Sequence, residues 1–287
     1  MRSMLFVPGD RPERFGKAES SGADAVILDL EDAVAAAQRP MARAAIGAHL
    51  RQSSRPVPLW VRINPVDSAE ALADLAAIIA QKPDGLLLPK ARNGLDVARL
   101  DHWLEALEAS HGLTIGGIKI IPMITETAGA MLQLASFASL PPRVVGVTWG
   151  AEDLAAELGA EMSRDEGGRY EMPYQMASAG CLFVAAAAQV AAIDTVDTEI
   201  TDITAVEQRA RLSRRSGYVA KLAIHPAQIP ALHAAFTPSA AELAHAEAVI
   251  AAFAKDPGVG ALRVDGKLVD RPHLLQAERL LAAARRR

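Results

Sequence analysis

With one cysteine, Cys181, among 287 residues, the chain cannot form a disulfide within itself, and no Cys/His cluster has zinc-finger spacing. That usage fits a reducing compartment, with the cytoplasm as the default expectation. A surplus of positive charge is also missing: 30 Lys and Arg stand against 34 Asp and Glu, a net charge of -4. No global field therefore draws the chain to nucleic acid or to an anionic membrane. Long apolar runs are lacking too. The opening MRSMLFVPGDRPER has only a few apolar residues before Pro8 and Gly9, too few for a signal-peptide core. The longest run, 181–193, is Ala-rich, is interrupted by Gln189, and falls short of the ~20 residues a membrane span needs. It reads as a buried helix. Finally, VPGD follows the first apolar run where a dinucleotide-binding open sheet would carry GxGxxG, which counts against that doubly wound alternative.

What the sequence does have is a core. Hydrophobic residues make up 51% and charged residues 22%, enough apolar surface for a large globular α/β domain. Eight short β-type runs, at 4–7, 25–30, 59–63, 85–88, 118–124, 144–148, 192–196 and 220–224, alternate with Ala/Leu-rich helical stretches such as 69–81, 96–109 and 129–138. Consecutive strands joined by helices are parallel, and eight of them predict a closed (β/α)8 TIM barrel over residues 1–235. After the eighth strand, Pro226, Pro230 and Pro238 punctuate the chain, and 236–287 reads as a C-terminal helical extension or lid. Its expected parts are a helix over 239–254 capped by Ser239, a DPG turn, a hairpin at VDGKLVD, and a last helix from Pro272 to Arg285, Arg286 and Arg287 as a solvated helix end.

In such a barrel the chemistry sits where strands pass into loops. Here those positions are acidic: Asp29, Glu31 and Asp32 after the second strand, Glu126 after the fifth, Glu152 and Asp153 after the sixth. Arg62 and Asn64 close the third strand and Lys90 the fourth. Gathered carboxylates repel one another, and a divalent cation between them is the simplest remedy. Mg2+ matches best, with Mn2+ as the alternative ion, because hard oxygen donors are present and no histidine ends a strand beside them. Glu126 and Asp153, one strand-helix-strand step apart, are the expected ligands, with Asp29, Glu31 and Asp32 holding the ion's waters. Each acid has a plainer reading: Asp32, Glu126 and Asp153 all precede helical segments and would serve as caps. Capping does not explain why acids recur at three strand ends. Arg62 is expected either to bridge one of these acids or to hold a substrate carboxylate, and the two roles are compatible.

In order along the chain, RSMLFVPGDRPERFGKA, ADAVILDLEDAV, WVRINP, LLLPKA, PMITETAGA, WGAEDLAAELG, GYVAKLAIHPAQI and DGKLVDRPHLLQAERLL resemble the Mg2+-dependent acyl-CoA lyases of the HpcH/HpaI aldolase and citrate lyase family, which include the citrate lyase beta subunit, malyl-CoA lyase and citramalyl-CoA lyase. The resemblance spans essentially the whole chain. It implies Glu126 and Asp153 as metal ligands and Arg62 as the substrate-binding arginine. It further implies Asp270, in KLVDRPH, as the catalytic acid/base, often supplied by a neighbouring subunit's lid; from its sequence surroundings alone Asp270 is a turn residue.

The activity implied is reversible cleavage of a 3-hydroxyacyl-CoA to an acyl-CoA and a 2-oxo acid, by a homo-oligomer, a trimer or hexamer. Coenzyme A, as part of the substrate, needs cations for its phosphates. Arg14 and Lys17 are the expected contacts, Lys90 and Lys221 less so, while His225 reads as a packed structural group and Cys181 as a small core residue. Three other readings stay open: a CoA-independent aldolase of 4-hydroxy-2-oxo acids, a malyl-CoA thioesterase, and a citrate lyase beta-type subunit acting on an acyl carrier protein within a complex.

Overall fold

The computed structural model describes residues 1–52, 54–256 and 258–285. Pro257 of the expected DPG turn, and Arg286 and Arg287 of the expected helix end, lie outside the described residues. The chain divides into two compact units, Met1–His233 and Ala234–Arg287.

In the first unit, eight strands form one parallel sheet: β1 (Ser3–Pro8), β2 (Ala25–Asp29), β3 (Leu59–Arg62), β4 (Gly85–Leu88), β5 (Lys119–Pro122), β6 (Gly146–Thr148), β7 (Ala191–Asp194) and β8 (Ala220–Ala223). Their order, β5-β4-β3-β2-β1-β8-β7-β6, leaves β5 and β6 at the two edges. Parallel bridges Ile120↔Val144 and Met123↔Thr148 span that seam and nearly close the sheet into a barrel. Buried Arg143 strengthens the seam, donating from Nη1 to Glu108 Oε1 at 2.9 Å and to the Ile118 carbonyl at 3.1 Å. The strands are apolar almost throughout because both faces are covered, by side chains inside and by helices outside. Met4, Ile27, Trp60, Leu87, Ile121 and Leu222 pack the interior. Gly85 leaves the space that the Trp60 ring fills.

The expected strands coincide with the observed ones to within a few residues. The run 181–193 departs from expectation: the helix Met172–Ala187 ends inside it, and the remainder is a short turn followed by the first residues of β7. That helix is not buried all round, since Phe183 is exposed while Cys181, Val184 and Ala185 face inward. A run of alanines carries no periodicity, so apolarity alone does not mark the change from helix to strand. Among the described residues, no helix is long and apolar enough to cross a membrane.

The second unit comprises the helix Ala240–Lys255, the hairpin β9 (Ala261–Val264) and β10 (Lys267–Asp270), and the helix Arg271–Arg285. Ser239 caps the first helix through a reciprocal capping box with Glu242. The hairpin turns at Asp265 and Gly266, both with positive φ (49° and 77°), as a two-residue turn matched to strand twist requires. Val249, Phe253, Val264, Val269 and Ala277 form its core.

Candidate active site

The register of the parallel strands sets the first pair of the site. Asp29 and Arg62 are direct cross-strand partners at the ends of β2 and β3. Arg62 donates from Nε to Asp29 Oδ1 at 2.7 Å and from Nη2 to Oδ2 at 2.5 Å, a bidentate fork. Its third nitrogen, Nη1, lies 2.9 Å from Glu31 Oε2 as an ion pair without hydrogen-bond alignment. The guanidinium also stands over the Phe6 ring, 4.8 Å from its centroid. Burial works against its charge, yet Asp29, Glu31 and Glu126 outweigh that and hold Arg62 more firmly protonated than an ordinary arginine.

A second cation follows β4. The backbone of Lys90 is left-handed (φ 49°), a conformation uncommon for a side-chain-bearing residue and frequent at functional sites. Its main-chain N–H donates to Glu126 Oε2 at 2.5 Å. Its ammonium lies 2.5 Å from Glu31 Oε1, 2.7 Å from Asp32 Oδ2 and 3.2 Å from Asp153 Oδ1. Burial lowers and the surrounding carboxylates raise its affinity for the proton, and the carboxylates win.

Glu126 is 1% exposed. Burial first, then repulsion from Asp153 and Glu31, pushes its carboxyl well above the ordinary range, despite the Lys90 N–H and Arg62. Its Oε1 has no hydrogen-bond partner among the described residues. The side chain lies against Gly150, where a Cβ would meet Glu126 Cγ at 2.6 Å and Oε1 at 3.0 Å. Glu126 and Asp153 line one small cavity of about 60 Å³ together with Arg62 and Thr195.

None of the three acids Asp32, Glu126 and Asp153 serves as a helix cap. Thr127, not Glu126, caps the helix Ala128–Met131; Gly150 precedes the helix Ala151–Leu158, with Asp153 inside its first turn; and Asp32 precedes no helix directly. The carboxylates at the mouth are instead partly neutralised from within the chain. Asp29 orients Arg62, while Glu31 and Asp32 hold Lys90. Burial raises and the Lys90 hydrogen bond lowers the Asp32 carboxyl, which ends below its ordinary value, whereas burial keeps Glu31 above its own. Five carboxylates thus face two cations, and the unmet surplus collects at Glu126 and Asp153. No group of three or more His, Cys, Asp or Glu among the described residues is arranged to hold a metal ion. Two hard carboxylates, one with a buried unpartnered oxygen, are nonetheless the donor set Mg2+ takes when water and substrate fill its other positions.

Lys90 and Lys221 are both turned away from the role of phosphate contact. Lys221, 1% exposed, is the register partner of Asp194 on β7 and donates to its Oδ2 at 2.6 Å. Asp194 also accepts from Trp149 Nε1 at 2.8 Å and Ser213 Oγ at 2.6 Å, which anchors the segment leading to Gly150 and Asp153. This network escaped sequence reading; its only signal was an acid and a lysine within adjacent, otherwise apolar strands. His225 is exposed rather than packed, and its Nδ1 accepts from the Ala227 N–H at 3.2 Å. Arg14, Lys17 and His225 line a cavity of about 410 Å³ beside β1. Cys181 is buried, and burial pushes its thiol far up, as a core residue requires. Asp270, half-exposed in the second unit, lies 2.5 Å from His273 Nδ1.

The chain is thus a parallel α/β barrel of eight strands that carries an arginine fork, a tethered lysine and the carboxylates of Glu126 and Asp153 at its mouth. Residues 2–226 match the HpcH/HpaI aldolase/citrate lyase family, and the chain belongs to it. It is 36% identical over 280 residues, 98% of this chain and 94% of the relative, to the citrate lyase subunit beta-like protein of Mycobacterium tuberculosis. It is 35% identical over 286 residues, 99% of this chain and 94% of the relative, to a (3S)-malyl-CoA thioesterase of Cereibacter sphaeroides. Among solved structures, CitE from Mycobacterium tuberculosis in complex with magnesium, acetoacetate and coenzyme A superposes with a TM-score of 0.82 at 35% identity, covering 99% of this chain and 97% of that one.

Proposed function

We propose that the protein is a Mg2+-dependent carbon-carbon lyase that reversibly cleaves a 3-hydroxyacyl-CoA of the malyl-CoA, citramalyl-CoA or beta-methylmalyl-CoA type into an acyl-CoA and a 2-oxo acid. The observation that carries this reading is the arrangement of cavities around Phe6. Phe6 lines the outer cavity with Arg14 and Lys17, a middle cavity of about 230 Å³ with Asp29 and Arg62, and the inner one with Glu126 and Asp153. Such a path suits a ligand with phosphates at one end, an apolar arm, and a carboxylate-bearing carbon at the other.

Glu126 and Asp153 hold the Mg2+, which when bound supplies a Lewis acid against negative charge developing on oxygen. Arg62, locked by Asp29 and permanently cationic, offsets charge at the same end of the substrate without having to reorganise. Arg14 and Lys17 take the CoA phosphates. Asp270, the acid/base that the family resemblance implies, from this or a neighbouring subunit, removes the hydroxyl proton; the carbon-carbon bond breaks, its electron pair leaves with the acyl-CoA as an enolate, and the enolate is then protonated. The relative named as a (3S)-malyl-CoA thioesterase favours a second reading, hydrolysis of the thioester. Incubation with the three CoA thioesters, with Mg2+ or with EDTA, while the 2-oxo acid is trapped with phenylhydrazine, tests both. Lyase activity gives a chelator-sensitive hydrazone; free thiol without 2-oxo acid gives the thioesterase; turnover unchanged by EDTA overturns the metal assignment.

A further inference from the structure

We infer that Lys90 is a built-in counter-ion which competes with the divalent cation for Asp153 and so sets how tightly the site holds its metal. The inference rests on the reading of Glu126 and Asp153 as the metal ligands, and it concerns what this chain does to those ligands before an ion arrives.

Lys90 touches both of them by different means. Its main-chain N–H, presented by the left-handed backbone at φ 49°, fixes Glu126 Oε2 at 2.5 Å and leaves Oε1 buried without a hydrogen-bond partner among the described residues. Its ammonium reaches the second ligand, Asp153, at 3.2 Å, its longest carboxylate contact, while the contacts to Glu31 and Asp32 are 2.5 and 2.7 Å. One residue therefore orients one ligand permanently and neutralises the other loosely. When a divalent ion takes Asp153, the ammonium keeps Glu31 and Asp32 and surrenders only the longest of its three contacts, so the exchange needs no large rearrangement. The same fixed positive charge stays beside the incoming cation and opposes it. The consequence is a metal that binds but also leaves, with Lys90 lowering affinity while its backbone keeps Glu126 in place.

The two functions separate by substitution. Lys90→Met removes the charge and keeps the length of the side chain and the main-chain donor. Mn2+ titration of wild type and K90M, read by the loss of the free-ion electron paramagnetic resonance signal and requiring no turnover, is expected to show K90M binding about tenfold more tightly. Lys90→Arg, which retains a cation, is expected to stay near wild type. If K90M does not fold, Lys90→Gln, uncharged but able to bond Glu31 and Asp32, is expected to shift affinity in the same direction. Equal or weaker binding by the neutral variants overturns the counter-ion role. Wild type that binds no Mn2+ overturns the metal assignment itself, and this inference with it.

Discussion

Gly150→Ala separates catalysis from stability. Gly150 has extended backbone (φ −126°, ψ 120°), which alanine adopts without strain, so the glycine is required for space alone. A Cβ there would lie 2.6 Å from Glu126 Cγ, 3.0 Å from Oε1 and 3.2 Å from Cδ. Restoring an ordinary carbon-carbon separation moves the carboxylate by about 1 Å. The atoms in the way belong to a side chain, not to backbone, so the barrel yields locally, at a stability cost of roughly 1–2 kcal/mol. The same displacement pulls one proposed ligand off its position, and a misplacement of about 1 Å at a reacting centre is worth ~10²-fold in rate, or about 2.7 kcal/mol of barrier. Thermal melting followed by circular dichroism, alongside kcat/KM with the accepted CoA thioester and Mn2+ affinity, measures both quantities. A G150A enzyme within threefold of wild type in rate and metal affinity would refute the placement of Glu126 as a ligand held by this contact.

Three further outcomes follow. Lys221→Met leaves Asp194 buried without its counter-charge, and breaking such a pair should lower unfolding free energy by about 3–5 kcal/mol in denaturant titrations; a loss below ~1 kcal/mol contradicts the network described. Because burial, Asp153 and Glu31 raise the Glu126 carboxyl above its unfolded value, its contribution to stability is present at low pH and is lost as pH rises through the folded value. Glu126→Gln should therefore raise the melting temperature of metal-free protein near pH 8 and hardly change it near pH 4, and equal shifts at both would count against the assignment. Asp270→Asn should slow the lyase by at least ~10²-fold in initial-rate assays with little effect on Mn2+ affinity, whereas a rate within a few fold of wild type favours the CoA-independent aldolase chemistry.

The barrel was legible because both faces of each strand are covered, so runs such as 85–88 and 220–224 are apolar or nearly so and stand out from the helices between them. The acids at the strand ends were legible for a related reason, since a polar residue closing such a run has only the mouth to face. Their partners were not. Lys90 meets Glu31 and Asp32 across 59 and 58 residues of chain, and the Trp149, Asp194 and Lys221 network depends on the β7–β8 register, which no local pattern encodes. Unpaired repulsion among the acids was therefore overestimated, because two of the chain's own cations already stand among them. Gly150 was invisible as a requirement, since only the position of the Glu126 side chain reveals what its missing Cβ makes room for.

In the proposed mechanism Glu126 and Asp153 share one divalent ion. Anomalous diffraction from crystals soaked in Mn2+ addresses it directly. A peak is expected at about 2.1 Å from a carboxylate oxygen of each residue, lost in Glu126→Gln. A peak elsewhere at the barrel mouth, or none while the wild-type protein still cleaves its substrate, would contradict it.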